Sequence, residues 1–177
     1  MTRGLWPTAL GALLLATSAL AHGPHEHGVV KLDVAVEPGR VTLLMESPLA
    51  NLIGFERAPR TDAERQRVDA ALATLNAAST LFKIDPAAGC VPGPVELNAA
   101  ALEGAKPGAA EADGGHADID ASFTFKCSKK AAAPAFIDTG LFAAFPAIQR
   151  IDVQLATGSA QAKRTLVRPA ARLSLPR

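Results

Sequence analysis

Tyrosine is absent from the 177-residue chain, tryptophan occurs once and phenylalanine seven times. So few aromatic faces argue against a surface that stacks sugars or bases. A charge imbalance is missing too, with 18 Lys and Arg against 17 Asp and Glu. That excludes the basic footprint of a nucleic-acid binder. Catalytic signatures are equally scarce: there is no H-E-x-x-H, no G-x-S-x-G and no glycine loop built to cradle phosphate. The chain is therefore expected not to be an enzyme. Glu46, Glu56 and Asp62 are scattered acids, expected in a hydrogen-bonded turn and at a helix start rather than as a catalytic pair. Methionine occurs only at Met1 and Met45, so no thioether cluster is available to a soft metal.

What the chain does have begins with an apolar leader. Arg3 supplies a basic n-region, Ala9 to Ala16 an apolar h-region, and Ala19-Leu20-Ala21 a small-x-small cleavage pattern. Residues 1–21 are expected to be a signal peptide and residues 22–177 a single exported domain. The leader is short for a membrane span and no basic stop-transfer follows it, so no membrane insertion is expected after cleavage. Cleavage removes Arg3 and no acid, leaving the remainder formally neutral.

Three of the four histidines lie in the stretch His22-Gly23-Pro24-His25-Glu26-His27-Gly28. Such a tract points to metal, because imidazole is the commonest protein ligand for zinc and also suits copper. From Gly28 to Val36 the side chains alternate, predicting a strand with Val30, Leu32, Val34 and Val36 on its buried face. Extrapolated backwards, the same phase places His25 and His27 on the polar face with Lys31 and Asp33. Two imidazoles two residues apart on extended chain point the same way and can reach one ion. The alternative is that they are solvated polar residues at a floppy terminus.

Pro38-Gly39-Arg40 reads as a turn into a second strand, Val41 to Glu46, giving an antiparallel hairpin. Pro48 to Arg60 reads as an irregular connection, with Phe55 plugging the core and Glu56 accepting backbone amides. Thr61-Asp62-Ala63-Glu64 is a capping box, and Val68, Leu72 and Leu75 follow at helical spacing, predicting a helix from about Asp62 to Ala78. Strands are expected at Leu81 to Ile84, Cys90 to Leu102 and Ile119 to Cys127. A closing hairpin joins Ile148 to Ala156 with Ala162 to Val167, and Leu173 and Leu175 add a short edge. Pro134 to Phe145 holds a short helix capped by Asp138 and stopped before Pro146. Residues 103–115, rich in Gly, Ala and acids, read as a flexible surface loop. The expected class is α+β: an antiparallel sheet built from hairpins with one main helix and a short second one.

The two cysteines, Cys90 and Cys127, form an even count in an exported chain, which reads as one disulfide. Antiparallel pairing of their strands across the 103–115 loop would set their Cα atoms within the roughly 4.4–6.8 Å that a bridge requires. The alternative, a thiolate metal site, lacks any C-x-x-C spacing. His116 opens the 119–127 strand as His116-Ala117-Asp118, with Asp120 on the same polar face. If the two strand starts are neighbours in the sheet, His25, His27 and His116 make a three-imidazole site, with Asp118 or Asp120 as carboxylate ligand or supporting partner. Here too the plain alternative is a solvated loop end.

Several segments together resemble the ZrgA-type family of zinc-regulated periplasmic proteins of Gram-negative bacteria. They are His25-Glu26-His27-Gly28, the run from Glu46-Ser47-Pro48 to Gly54-Phe55-Glu56-Arg57-Ala58-Pro59, His116-Ala117-Asp118, and Leu141-Phe142-Ala143-Ala144-Phe145-Pro146. The resemblance covers nearly all of the chain after the leader, and the cysteine pair matches the family's pattern. It implies a periplasmic zinc-binding protein that assists zinc acquisition or storage beside a zinc-uptake transporter component. Family members carry a loop dense in His, Asp and Glu before the His-Ala-Asp motif; here residues 103–115 contain Glu103, Glu111 and Asp113 and no His. That departure argues against high-capacity buffering and leaves a single site near the strand ends. Two further readings stay open. A mature His22 would chelate copper through its α-amine and imidazole. A sheet-and-helix module that docks on an envelope partner would need no metal at all.

Overall fold

Alternation of apolar and polar side chains resolves into strands, and the capping box into a helix. The computed structural model describes residues 26–102, 117–129 and 133–176. The leader, His22, His25, the 103–115 loop and His116 lie outside the described residues. The first hairpin is β1 (Val29–Glu37) and β2 (Arg40–Pro48). After it come three helices: α1 (Leu49–Ile53), α2 (Asp62–Asn76) and α3 (Ala78–Leu81). Strands β3 (Phe82–Ile84), β4 (Cys90–Asn98), β5 (Asp118–Cys127) and β6 (Phe136–Thr139) lead to α4 (Leu141–Ala144). The chain closes with β7 (Arg150–Thr157), β8 (Gln161–Val167) and β9 (Arg172–Ser174). The class is α+β, mostly antiparallel, with one helix much longer than the others.

Six strands form the main sheet in the order β4-β5-β2-β1-β7-β8, and β3-β6-β9 form a smaller one. One face of the main sheet is buried: Val30, Leu32 and Val34 of β1, Leu43 and Met45 of β2, Phe123 and Phe125 of β5, and Ile151 and Val153 of β7. Val68 and Leu75 of α2, Phe82 of β3, Ile137 of β6 and Leu141 of α4 belong to the same apolar cluster. Each fully buried side chain of this size contributes roughly 1.5–3 kcal/mol. Phe82 meets Phe123 edge to face at 5.0 Å, which stitches the small sheet to the large one. The opposite face of the main sheet carries Lys31, Asp33, Glu46, Asp120 and Asp152, with Leu44 half exposed among them.

Two features depart from a sheet of hairpins. Strand β7 lies parallel to β1, with Val30 opposite Ile151. Alternation specifies which face is buried, not which neighbour a strand takes or its direction. The second concerns Asp138, which is a strand residue of β6 and does not cap α4. Its carboxylate grips Arg172 at 2.7 and 2.8 Å, while the Leu141 amide donates to the Thr139 hydroxyl at 3.2 Å. Arg172 accordingly holds Asp138 below the usual carboxylate range.

The cysteines are bridged, Cys90 at the start of β4 to Cys127 at the end of β5. Their Cα atoms are 3.8 Å apart, closer than the range expected for a bridge. The Cys127 amide donates to Gly39 on the other side of β5, so Cys90 and Cys127 are a non-hydrogen-bonded pair, the closer kind in an antiparallel ladder. With a sequence separation of 37, the closed loop stabilises the fold by roughly 4 kcal/mol in the chain-entropy model. The bridge removes both sulfurs from metal ligation, and points to an oxidising compartment. Among the described residues, no helix is long and apolar enough to cross a membrane.

Candidate metal centre

Both strand starts that carry the histidines lie at one end of the main sheet. Strands β1 and β5 each run antiparallel to β2, so they run in the same direction. They are not neighbours, however: β2 lies between them and separates them by about 10 Å, two strand spacings. Asp118 faces Pro48 in register, and Asp120 faces Glu46, whose carboxylate takes the Lys31 ammonium at 2.6 Å. The three-imidazole site therefore does not follow from direct strand pairing.

The backward extrapolation of β1 also fails at His27. Gly28 has φ +82°, and the Val29 amide donates to the Glu26 carbonyl at 3.1 Å. These close a turn with glycine at its third position, where a left-handed residue is required. The strand begins only at Val29, and His27 sits in the turn instead of on the polar face. Its imidazole meets the connection after α1: His27 Nε2 lies 2.8 Å from Glu56 Oε1. The His27 side chain is 62% exposed and that of Glu56 19%, so the imidazole forms the mouth and the acid the wall.

Helix α1 places these parts. Asn51, 3% exposed, accepts the Gly28 amide at 2.7 Å and donates to the Val29 carbonyl at 2.8 Å. The Leu49 amide at the other end of α1 donates to the Ala117 carbonyl at 2.8 Å. One short helix thus ties the His27 turn to Ala117, the residue before β5. On the sheet side, Arg150 reaches Glu26 at 2.8 Å and Asp152 at 3.1 Å, and the bond to Glu26 raises its pKa further.

The segment bearing Glu56 is braced as well. Gly54, at φ +84°, ends α1 by donating to the Ala50 carbonyl at 3.0 Å. Phe55 is partly buried against the core, with the Arg57 guanidinium 5.1 Å from its ring centroid. Arg57 donates twice to Glu64, at 3.0 and 2.7 Å. Glu64 also accepts the Arg60 and Thr61 amides, while its own amide donates to the Thr61 hydroxyl at 3.1 Å. The Arg57 bond first, and the Arg60 amide second, hold the Glu64 carboxyl down at about 2.

Sequence reasoning expected Glu56 to accept backbone amides and did not foresee its meeting His27. Its contact with His27 spans 29 residues and has no local signature. An imidazole nitrogen facing a carboxylate is a donor pair that suits zinc. Among the described residues, no three His, Cys, Asp or Glu side chains converge to hold a metal ion. His25 and His116, the other imidazoles expected at this end of the sheet, lie outside the described residues.

These features define a class: a disulfide-closed α+β protein that presents an imidazole–carboxylate pair where its histidine-bearing strands begin. The chain belongs to the ZrgA family, described as ZrgA family zinc uptake protein, which it matches over residues 24–175. No curated protein matches it. Its role is accordingly connected with zinc.

Proposed function

We propose that the protein binds zinc as cargo in the periplasm and hands it to, or holds it for, an uptake system. In this reading it is a binding protein rather than an enzyme. The ligands come from His25 and His27, with His116 and Asp118 from the β5 start and His22 as an additional donor. The observation that carries the reading is the exposed His27 imidazole, hydrogen-bonded to a carboxylate, in a chain of a zinc uptake family. Zinc accepts this mixture of nitrogen and oxygen donors at 2.0–2.2 Å. An open site of surface imidazoles suits cargo that must leave again, and protonation of the same nitrogens releases it. Residues 1–21 would deliver the chain to the periplasm, where the Cys90–Cys127 bridge can form and persist.

The test is a zinc titration of the oxidised, exported chain against a chromophoric chelator. We expect about one ion per chain. The His25→Ala, His27→Ala double variant should bind at least about tenfold more weakly, because even the outer partners of metal ligands cost 10- to 100-fold. Unchanged affinity in that variant would remove the site from this end of the sheet.

A further inference from the structure

We infer that Glu56 is itself a zinc ligand, supplying the carboxylate oxygen opposite His27, an inference that rests on the zinc-binding reading above. The donor atoms already face each other, with His27 Nε2 and Glu56 Oε1 2.8 Å apart. Zinc–nitrogen and zinc–oxygen bonds of about 2.0–2.2 Å at a tetrahedral angle place two donors about 3.4 Å apart. Widening the observed pair by about 0.6 Å therefore makes it one edge of a zinc tetrahedron. That widening falls to the His27 imidazole, the more exposed of the two side chains.

The acid is held by the scaffold, not by the metal. Gly54 turns the chain out of α1, Phe55 anchors the next residue against the core, and Arg57 is clamped to Glu64 at the start of α2. These contacts bracket Glu56 on both sides in sequence, so the backbone that carries it is in position before an ion arrives. A carboxylate ligand beside neutral imidazoles lowers the charge of bound zinc, which imidazoles alone do not.

A simple orienting hydrogen bond from His27 to Glu56 would look the same without metal, so the test has to separate the two roles. Glu56→Gln keeps an oxygen that can accept from the imidazole but loses the charged ligand. In chelator-competition titrations of the oxidised full chain, zinc affinity should fall by about 10- to 100-fold. In zinc-minus-apo difference infrared spectra, the wild-type chain should show a shifted pair of carboxylate stretches that is clearly weaker in the Gln variant, where at most Asp118 contributes. Glu56→Asp retains the charge one methylene further back and should fall between them; thermal unfolding of each apo variant checks that it folds. A Gln variant with wild-type affinity, or with an unchanged difference spectrum, would overturn the inference and leave zinc binding by the histidines intact. Failure of the wild-type chain to bind zinc would remove both.

Discussion

Asn51 shows how much one side chain can decide. A buried residue here has to accept from the Gly28 amide and donate to the Val29 carbonyl and to Ser47 Oγ, the last at 3.3 Å. Only a carboxamide offers both roles at this length. Asn51→Ala would strand a backbone donor and a backbone acceptor, at a cost of about 1–3 kcal/mol. It would also loosen the turn that presents His27. Denaturant unfolding and zinc titration of the variant should therefore both move, the second more than in a surface control such as Thr80→Ala. A loss of stability with zinc affinity untouched would separate the turn from the site. Nothing in Pro48-Leu49-Ala50-Asn51 announces this role, because its partners Gly28 and Val29 lie 23 and 22 residues away. The histidine tract, by contrast, stands out in the sequence, although the turn that holds His27 and its contact with Glu56 do not.

At the scale of elements, legibility followed length. Helix α2 could be read because it has 15 residues, a capping box and apolar positions at helical spacing. Strands β1, β2 and β5 could be read from their alternation. Helices α1 and α3 have five and four residues, too few to show a stripe, and α1 was read as irregular chain, whereas the four-residue α4 could be read from Pro146, which stops it. Yet α1 is the element that ties the two strand starts together. The start of α2 carries its own prediction. Glu64 titrates at about 2 in the folded protein against an ordinary 4.5, mainly through its bond to Arg57. A lowered folded-state pKa contributes stability that is complete above about 4.5 and lost as pH falls towards 2. Thermal midpoints of the wild type should thus drop faster than those of Glu64→Gln over that window. Parallel acid limbs would show that the clamp on Arg57 carries no net stability.

For the whole molecule, alternation identified the buried face of the sheet but left the order of its strands open. That order decides the site. With β2 between β1 and β5, the two strand starts share an end without pairing, and α1 bridges them. Glu56 could not be read from sequence because its contact with His27 exists only after β1 and α1 have docked. The Cys90–Cys127 bridge, foreseen from chain chemistry, lies at the far end of β5, roughly 30 Å from Asp118 at about 3.3 Å per residue. It fixes the register of that strand without taking part in ligation. The central claim is that zinc sits at the His27 end of this sheet, and the most direct measurement is an anomalous difference map from crystals of the oxidised chain grown with zinc. The account predicts the strongest peak within about 2.2 Å of a ring nitrogen of His27. A saturated crystal whose strongest peak lies elsewhere on the molecule, or that shows none, would contradict it.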